Sequence, residues 1–137
     1  MRAVRISDGV VAGESPEMTT LASPLTDPAM ASDPNVVKVV CDVHGDALYF
    51  SRSPIPHAGG PEEPERLHHL GLYAFARATV LRFPSFDPTP LERHERLEQL
   101  RALENGVRIR VCRSERHVLE INTPADLDAA RELVRSA

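Results

Sequence analysis

Arg52, His69, Tyr73, Glu98 and Gln99 each carry a side chain able to hydrogen-bond a polar ligand. A guanidinium such as that of Arg52 can clamp a carboxylate through two parallel hydrogen bonds. His69 and Tyr73 stand four apart, so on a strand they share one face. The carboxylate of Glu98 only accepts, whereas the amide of Gln99 both accepts and donates. Taken singly, each has an ordinary structural reading as well. Arg52 reads as a surface arginine after a strand, His69 as a satisfied core imidazole and Tyr73 as a core-edge ring. Glu98 and Gln99 read as the solvated face of a helix. Asn122, just before Thr123-Pro124, is by type a helix cap.

The elements that must position these residues are legible from pattern. Residues 18–22 read as a strand ended by Ser23-Pro24, and Asp27-Pro28 opens a short helix reaching Met30 and Ala31. Residues 36–41, four valines around Lys38 with Cys41 at the end, give the strongest strand signal. Residues 43–46 form a tight turn with Gly45 available for positive φ, and 47–51 return as the second strand of a hairpin. Residues 53–66, dense in Pro and Gly, predict an irregular loop. Residues 70–76 predict a third strand and 77–83 a short helix. Residues 91–104 predict one helix, with Leu97, Leu100 and Leu103 on its inner arc and Asn105-Gly106 as its stop. Residues 107–112 alternate apolar and charged as a half-buried strand does, and Thr123-Pro124-Ala125-Asp126 opens a last helix. Strands alternating with helices predict an α/β fold with a mixed sheet.

At 137 residues, 42% apolar and 26% charged, the chain predicts one soluble domain with a modest core. A net charge of −4 gives no basic footprint for nucleic acid or an anionic membrane, although a few local arginines can still hold an anionic sugar or nucleotide. No apolar run approaches the roughly 20 residues of a membrane helix, and Met1 to Arg5 lead into no apolar signal region. Cys41 and Cys112 both sit in apolar runs, which predicts buried free thiols and a cytoplasmic setting. Residues 1–17 read as a weakly ordered lead-in to a domain spanning 18–137.

Several segments, in order, resemble the 3-deoxy-manno-octulosonate cytidylyltransferases, the CMP-Kdo synthetases. They are Pro34-Asn35-Val36-Val37-Lys38-Val39-Val40, Ala47-Leu48-Tyr49-Phe50-Ser51-Arg52 with Ile55-Pro56, and His69-Leu70-Gly71-Leu72-Tyr73. Pro88-Thr89-Pro90-Leu91-Glu92, Leu97-Glu98-Gln99-Leu100-Arg101 and Thr123-Pro124 with Asp126-Leu127 complete the set. The resemblance implies a nucleotide-diphospho-sugar transferase-like α/β fold, of which this chain corresponds to the carboxy-terminal, sugar-binding and dimer-forming half of a doubly wound mixed sheet. It implies transfer of CMP from CTP to Kdo, the sugar's anomeric hydroxyl attacking the α-phosphorus and pyrophosphate leaving, a step of lipopolysaccharide precursor synthesis. It implies Arg52 on the Kdo carboxylate, and His69, Tyr73, Glu98 and Gln99 on the sugar.

Several departures shape the expectation. The family carries a magnesium-binding Asp where this chain has Asn122, and a neutral amide is a poorer ligand for that ion. Glu120 stands where the family has Gly, and Arg66 is only a loose counterpart of a second family arginine. The family's Gly-rich phosphate loop with its lysine, and a further magnesium-binding Asp, have no counterpart here. The expectation is therefore a Kdo-recognising piece, incomplete by itself, that self-associates or pairs with a chain supplying the nucleotide half and through it CTP and Mg2+. The alternative is a non-catalytic acidic-sugar-binding or partner-binding module, or an inactive remnant.

Overall fold

The computed structural model describes residues 16–114 and the helix at 124–135. Five strands form one mixed sheet in the order β3-β2-β4-β1-β5. They are β1 (Met18–Pro24), β2 (Lys38–Cys41), β3 (Ala47–Ser51), β4 (Leu67–Phe75) and β5 (Ile109–Arg113). The expected α/β fold with a mixed sheet is what the chain adopts. β1 lies between β4 and β5, antiparallel to the first and parallel to the second. Burial on both faces explains why its sequence is small and apolar or hydroxylic rather than alternating.

One face of the sheet carries the main core. Met18 and Ala22 of β1, Phe50 of β3, Leu67 of β4 and Ile109 and Val111 of β5 pack there against Leu97, Leu100 and Ala102. The opposite face holds a smaller cluster of Leu21, Leu70 and Cys112. Cys41 and Cys112 are both free thiols, as expected, but only Cys112 is buried; Cys41, at the end of β2, is half-buried. The period of two puts His68 and His69 on opposite faces, with His69 on the core side.

The β2–β3 hairpin forms as its turn chemistry predicts. The Asp42 carboxylate accepts from the backbone N–H groups of His44 and Asp46, and Gly45 takes φ +84°. The hairpin then curls back over the sheet. Its tip meets β5 at the far end of the strand order: Val111 N–H donates to the Gly45 carbonyl, and Arg110 Nε to Asp46 Oδ1 at 2.6 Å. No helix or strand lies between Ser51 and Leu67, in keeping with the Pro- and Gly-rich 53–66 loop.

Of the helices, α1 (Pro28–Ala31) is capped by the Asp27 carboxylate, and α2 (Arg77–Arg82) runs into a short 3-10 turn at Phe83–Ser85. The single helix expected over 91–104 is instead two, α3 (Pro90–Glu95) and α4 (Gln99–Glu104). Arg96 breaks it, at φ 55° and ψ 47°. The reason is tertiary. In a continuous helix the Glu95 carbonyl would accept from Gln99; here it accepts from Arg52 Nε at 2.9 Å. The Glu95 carboxylate meanwhile takes Ser51 Oγ, Tyr49 OH and the Arg52 backbone N–H. Gly106 ends α4 at φ +74°, as its sequence position predicts. The final helix, α5 (Pro124–Arg135), follows the Thr123-Pro124 start signal.

Other boundaries differ from expectation: β1 runs on through Ser23 and Pro24, and β5 begins at Ile109 rather than at residue 107. β4 begins at Leu67 rather than at residue 70, because His68 and His69 are buried strand residues and not loop. β2 begins at Lys38 rather than at residue 36. The proposed lead-in, 1–17, lies outside the described residues as far as residue 15. Glu17 itself bonds Arg82 and the Arg108 backbone N–H.

The left-handed turn at Arg96 makes a direct prediction. A side chain with Cβ is strained there by about 1 kcal/mol, and glycine is not. Arg96 is exposed, so its side chain contributes little packing. Arg96→Gly should be more stable than Arg96→Ala by about 1 kcal/mol in urea unfolding, the reverse of their order in a helix interior.

Candidate functional site

Where the hairpin, β4 and the start of α4 meet, the surface opens into a hollow of about 360 Å³. Four of the five singled-out residues line it: Arg52, His69, Tyr73 and Gln99. Asn35 and Val37 form the wall ahead of β2, Gly71 lies between the two rings on β4, and Leu97 closes the helix side. The volume falls in the range of small-molecule sites.

Glu98 and Gln99 part company. Gln99 is the first residue of α4 and only 6% exposed. The Glu98 side chain is 71% exposed, 3.7 Å from Arg101, and is not among the residues that line the hollow. Adjacent helical residues point about 100° apart, and the break at Arg96 sets which of the two turns inward.

Arg52, at the exit of β3, is held from two sides. Its Nε donates to the Glu95 carbonyl at 2.9 Å and its Nη1 to the Pro34 carbonyl at 2.7 Å. Both acceptors are neutral carbonyls, while the Glu95 carboxylate, which accepts from the Arg52 backbone N–H, also attracts the guanidinium through charge. Three further N–H bonds of the fork lie outside these two contacts. Desolvation pushes the Glu95 carboxyl up, but hydrogen bonds from the Arg52 N–H, Ser51 and Tyr49 outweigh it, and the group sits below its ordinary value.

Beneath this lies Lys38, fully buried within its run of valines. Its Nζ donates to the carbonyls of Asp33 at 3.0 Å and of Val36 and Arg52 at 2.6 Å. All three ammonium protons are thus used, and the loop before β2 is tied to the end of β3. Burial pulls the Lys38 pKa below its usual range, while Asp33 and Glu95 pull it back up.

His69 is 5% exposed, and its ring meets Phe50 edge-on at 4.9 Å and Tyr73 at 5.4 Å. Its Nε2 lies 2.9 Å from Thr20 Oγ1. Burial, aided by the neighbouring His68, holds its pKa down to about 4, so the ring is neutral at neutral pH. The β1–β4 register slips beside it. Thr20 faces Tyr73 while Leu21 faces Leu70, leaving Gly71 and Leu72 unopposed. The slip spans the two ring positions yet keeps both on one face.

Sequence reasoning missed Glu95 and Lys38. Lys38 had a signal, a charge amid four valines in a buried strand. Glu95 had none, since its partners lie more than 40 residues away. Asn122 lies outside the described residues. Among the described residues no group of three or more His, Cys, Asp or Glu is placed to hold a metal. The hollow's donor set of guanidinium, imidazole, phenol and amide does not fit magnesium, which takes carboxylate, phosphate and water oxygens. No described helix is long and apolar enough to cross a membrane.

Comparison with known proteins gives this geometry a setting. Residues 5–109 match the family model described as cytidylyltransferase. The 3-deoxy-manno-octulosonate cytidylyltransferase of Acaryochloris marina is 49% identical over 123 residues, which are 90% of this chain and 50% of that protein. The same-named protein of Synechococcus elongatus is 54% identical over 121 residues, 87% of this chain and 49% of that one. The solved structure of CMP:2-keto-3-deoxy-manno-octonic acid synthetase complexed with CTP matches with a TM-score of 0.87 at 34% identity, over 96% of this chain and 54% of that one. The chain spans about half the length of the curated relatives it matches. In sequence over most of its length, and in the mixed sheet it shares with that synthetase, the chain belongs to the cytidylyltransferase family.

Proposed function

We propose that this chain is the acceptor-recognising part of a CMP-Kdo synthetase, holding 3-deoxy-manno-octulosonate while the cytidylyl group of CTP is transferred to it. The observation that carries the reading is the convergence of Arg52, His69, Tyr73 and Gln99 on one hollow. Kdo offers one carboxylate and several hydroxyls. Arg52 supplies the cation, already held by two carbonyls, so little rotamer freedom is lost on binding. Gln99 supplies a donor and an acceptor, and His69 and Tyr73 supply polar atoms on otherwise flat apolar rings. Glu98 stays outside this set.

These residues contribute by positioning. Holding the sugar so that its anomeric hydroxyl faces the α-phosphorus makes the attack effectively intramolecular. The phosphate loop that would cradle the triphosphate belongs to the half of the relatives that this chain does not match.

Calorimetric titration of the chain with Kdo should show saturable one-site binding. Arg52→Ala should weaken it by about tenfold or more, the worth of a charged hydrogen-bonded contact. A folded wild-type chain that takes up no Kdo, alone or with the CTP-binding half added, overturns the proposal. Pyrophosphate release with CTP, Kdo and magnesium then separates turnover from binding alone.

A further inference from the structure

The Thr20 hydroxyl is fully buried in β1, one strand away from the hollow, and has three polar neighbours. They are His69 Nε2 at 2.9 Å, the Leu72 carbonyl at 2.9 Å and the Leu70 carbonyl at 3.3 Å. Leu70 is the last paired residue before the register slip in β4, and Leu72 is one of its two unopposed residues. A hydroxyl has one proton, and a carbonyl has none. If Thr20 donated to Nε2, its oxygen would face two carbonyl oxygens with no proton between them. If it donates to the nearer of them, the Leu72 carbonyl, a lone pair is left for Nε2, and Nε2 must carry hydrogen. Only the second arrangement puts a proton in both of the 2.9 Å contacts.

We propose that Thr20 is a positioning residue that fixes His69 as the Nε2–H tautomer, leaving Nδ1 as the one ring atom able to accept a hydrogen bond from a ligand. The ring's neutrality at neutral pH agrees with this. The consequence is a division of labour in the sugar site, and it rests on the reading given under Proposed function. Arg52 takes the carboxylate. His69 takes a ligand hydroxyl as that hydroxyl's acceptor, and rejects a carboxylate or carbonyl oxygen at the same point, because two lone pairs would meet.

The tautomer is read directly, without ligand, from long-range proton–nitrogen correlation of the full chain labelled with nitrogen-15 in histidine. Wild type should show His69 Nε2 as the protonated nitrogen and Nδ1 as the bare one. Thr20→Ser keeps the hydroxyl and should keep that pattern. Thr20→Val keeps the shape and removes the hydroxyl, so it should lose the pattern and weaken Kdo binding about fivefold, with Thr20→Ser within about twofold of wild type. A wild-type spectrum with hydrogen on Nδ1 overturns the proposal, even if Thr20→Val fails to fold. So does a folded Thr20→Val that keeps the wild-type pattern. If the pattern is as expected and depends on Thr20, but wild type takes up no Kdo, the sugar reading falls and the tautomer assignment stands.

Discussion

Phe50→Ala should lower the unfolding free energy by about 3–5 kcal/mol, the usual loss for a buried phenylalanine. That is a large part of the roughly 5–15 kcal/mol that holds a domain together. Phe50 is fully buried on β3, at the point where the hairpin curls over the main core. Its ring stands edge-on to His69 at 77°, so it also backs a residue that lines the hollow. The cavity left by alanine is too enclosed for the surroundings to collapse into it cheaply. Phe50→Leu keeps most of the volume and should lose about 1.5 kcal/mol. Urea unfolding with an unchanged slope measures both. A loss below about 1 kcal/mol for Phe50→Ala would mean that the hairpin does not pack on the core as described.

The second large effect is loss of stability in mild acid. His69 titrates near 4 in the folded chain against 6.5 when unperturbed, and burial is the main cause. Below pH 6.5 the unfolded chain binds a proton that the folded chain refuses, so stability falls as pH falls, and the loss is complete once pH passes below about 4. At 1.36 kcal/mol per unit, a shift of this size is worth about 3 kcal/mol. The groups around the ring are His68, whose charge adds to the effect, the Thr20 hydroxyl, and the Phe50 and Tyr73 rings. Glu95 and Glu92 also sit below their ordinary values, but their contribution is lost only at lower pH. Unfolding free energies measured between pH 7 and 4 should therefore fall steeply in wild type and more gently in His69→Gln. Equal slopes in the two would show that the imidazole is not held neutral by its site.

The elements that local chemistry specifies are where the sequence places them. β-branching marks β2, an aromatic-rich run after the Gly45 turn marks β3, and alternation marks β5. Asp27 marks the start of α1, Gly45 the hairpin turn and Gly106 the end of α4. Each signal acts within a few residues, through φ preference, capping or period. The failures share the opposite property. The helix over 91–104 is locally well formed in sequence, and it breaks at Arg96 because the hairpin, more than 40 residues earlier in the chain, captures both the carboxylate and the carbonyl of Glu95. The same break sends Gln99 into the hollow and Glu98 out to solvent. No periodicity over 97–101 distinguishes those two neighbours.

By itself, then, the sequence determined the inventory: the strand and helix segments apart from the break at Arg96, the α/β class, the family resemblance, and the side-chain types able to meet an acidic sugar. The tertiary structure decided the assembly. It brought residues 52, 69, 73 and 99 to one hollow, turned residue 98 away from it, and put Lys38, Glu95 and Thr20 behind the contact residues to hold them. The physical reason is range. Backbone preference and hydrophobic period are properties of neighbours in the chain, whereas a buried hydrogen bond is settled only when distant segments are packed and each donor must find its acceptor.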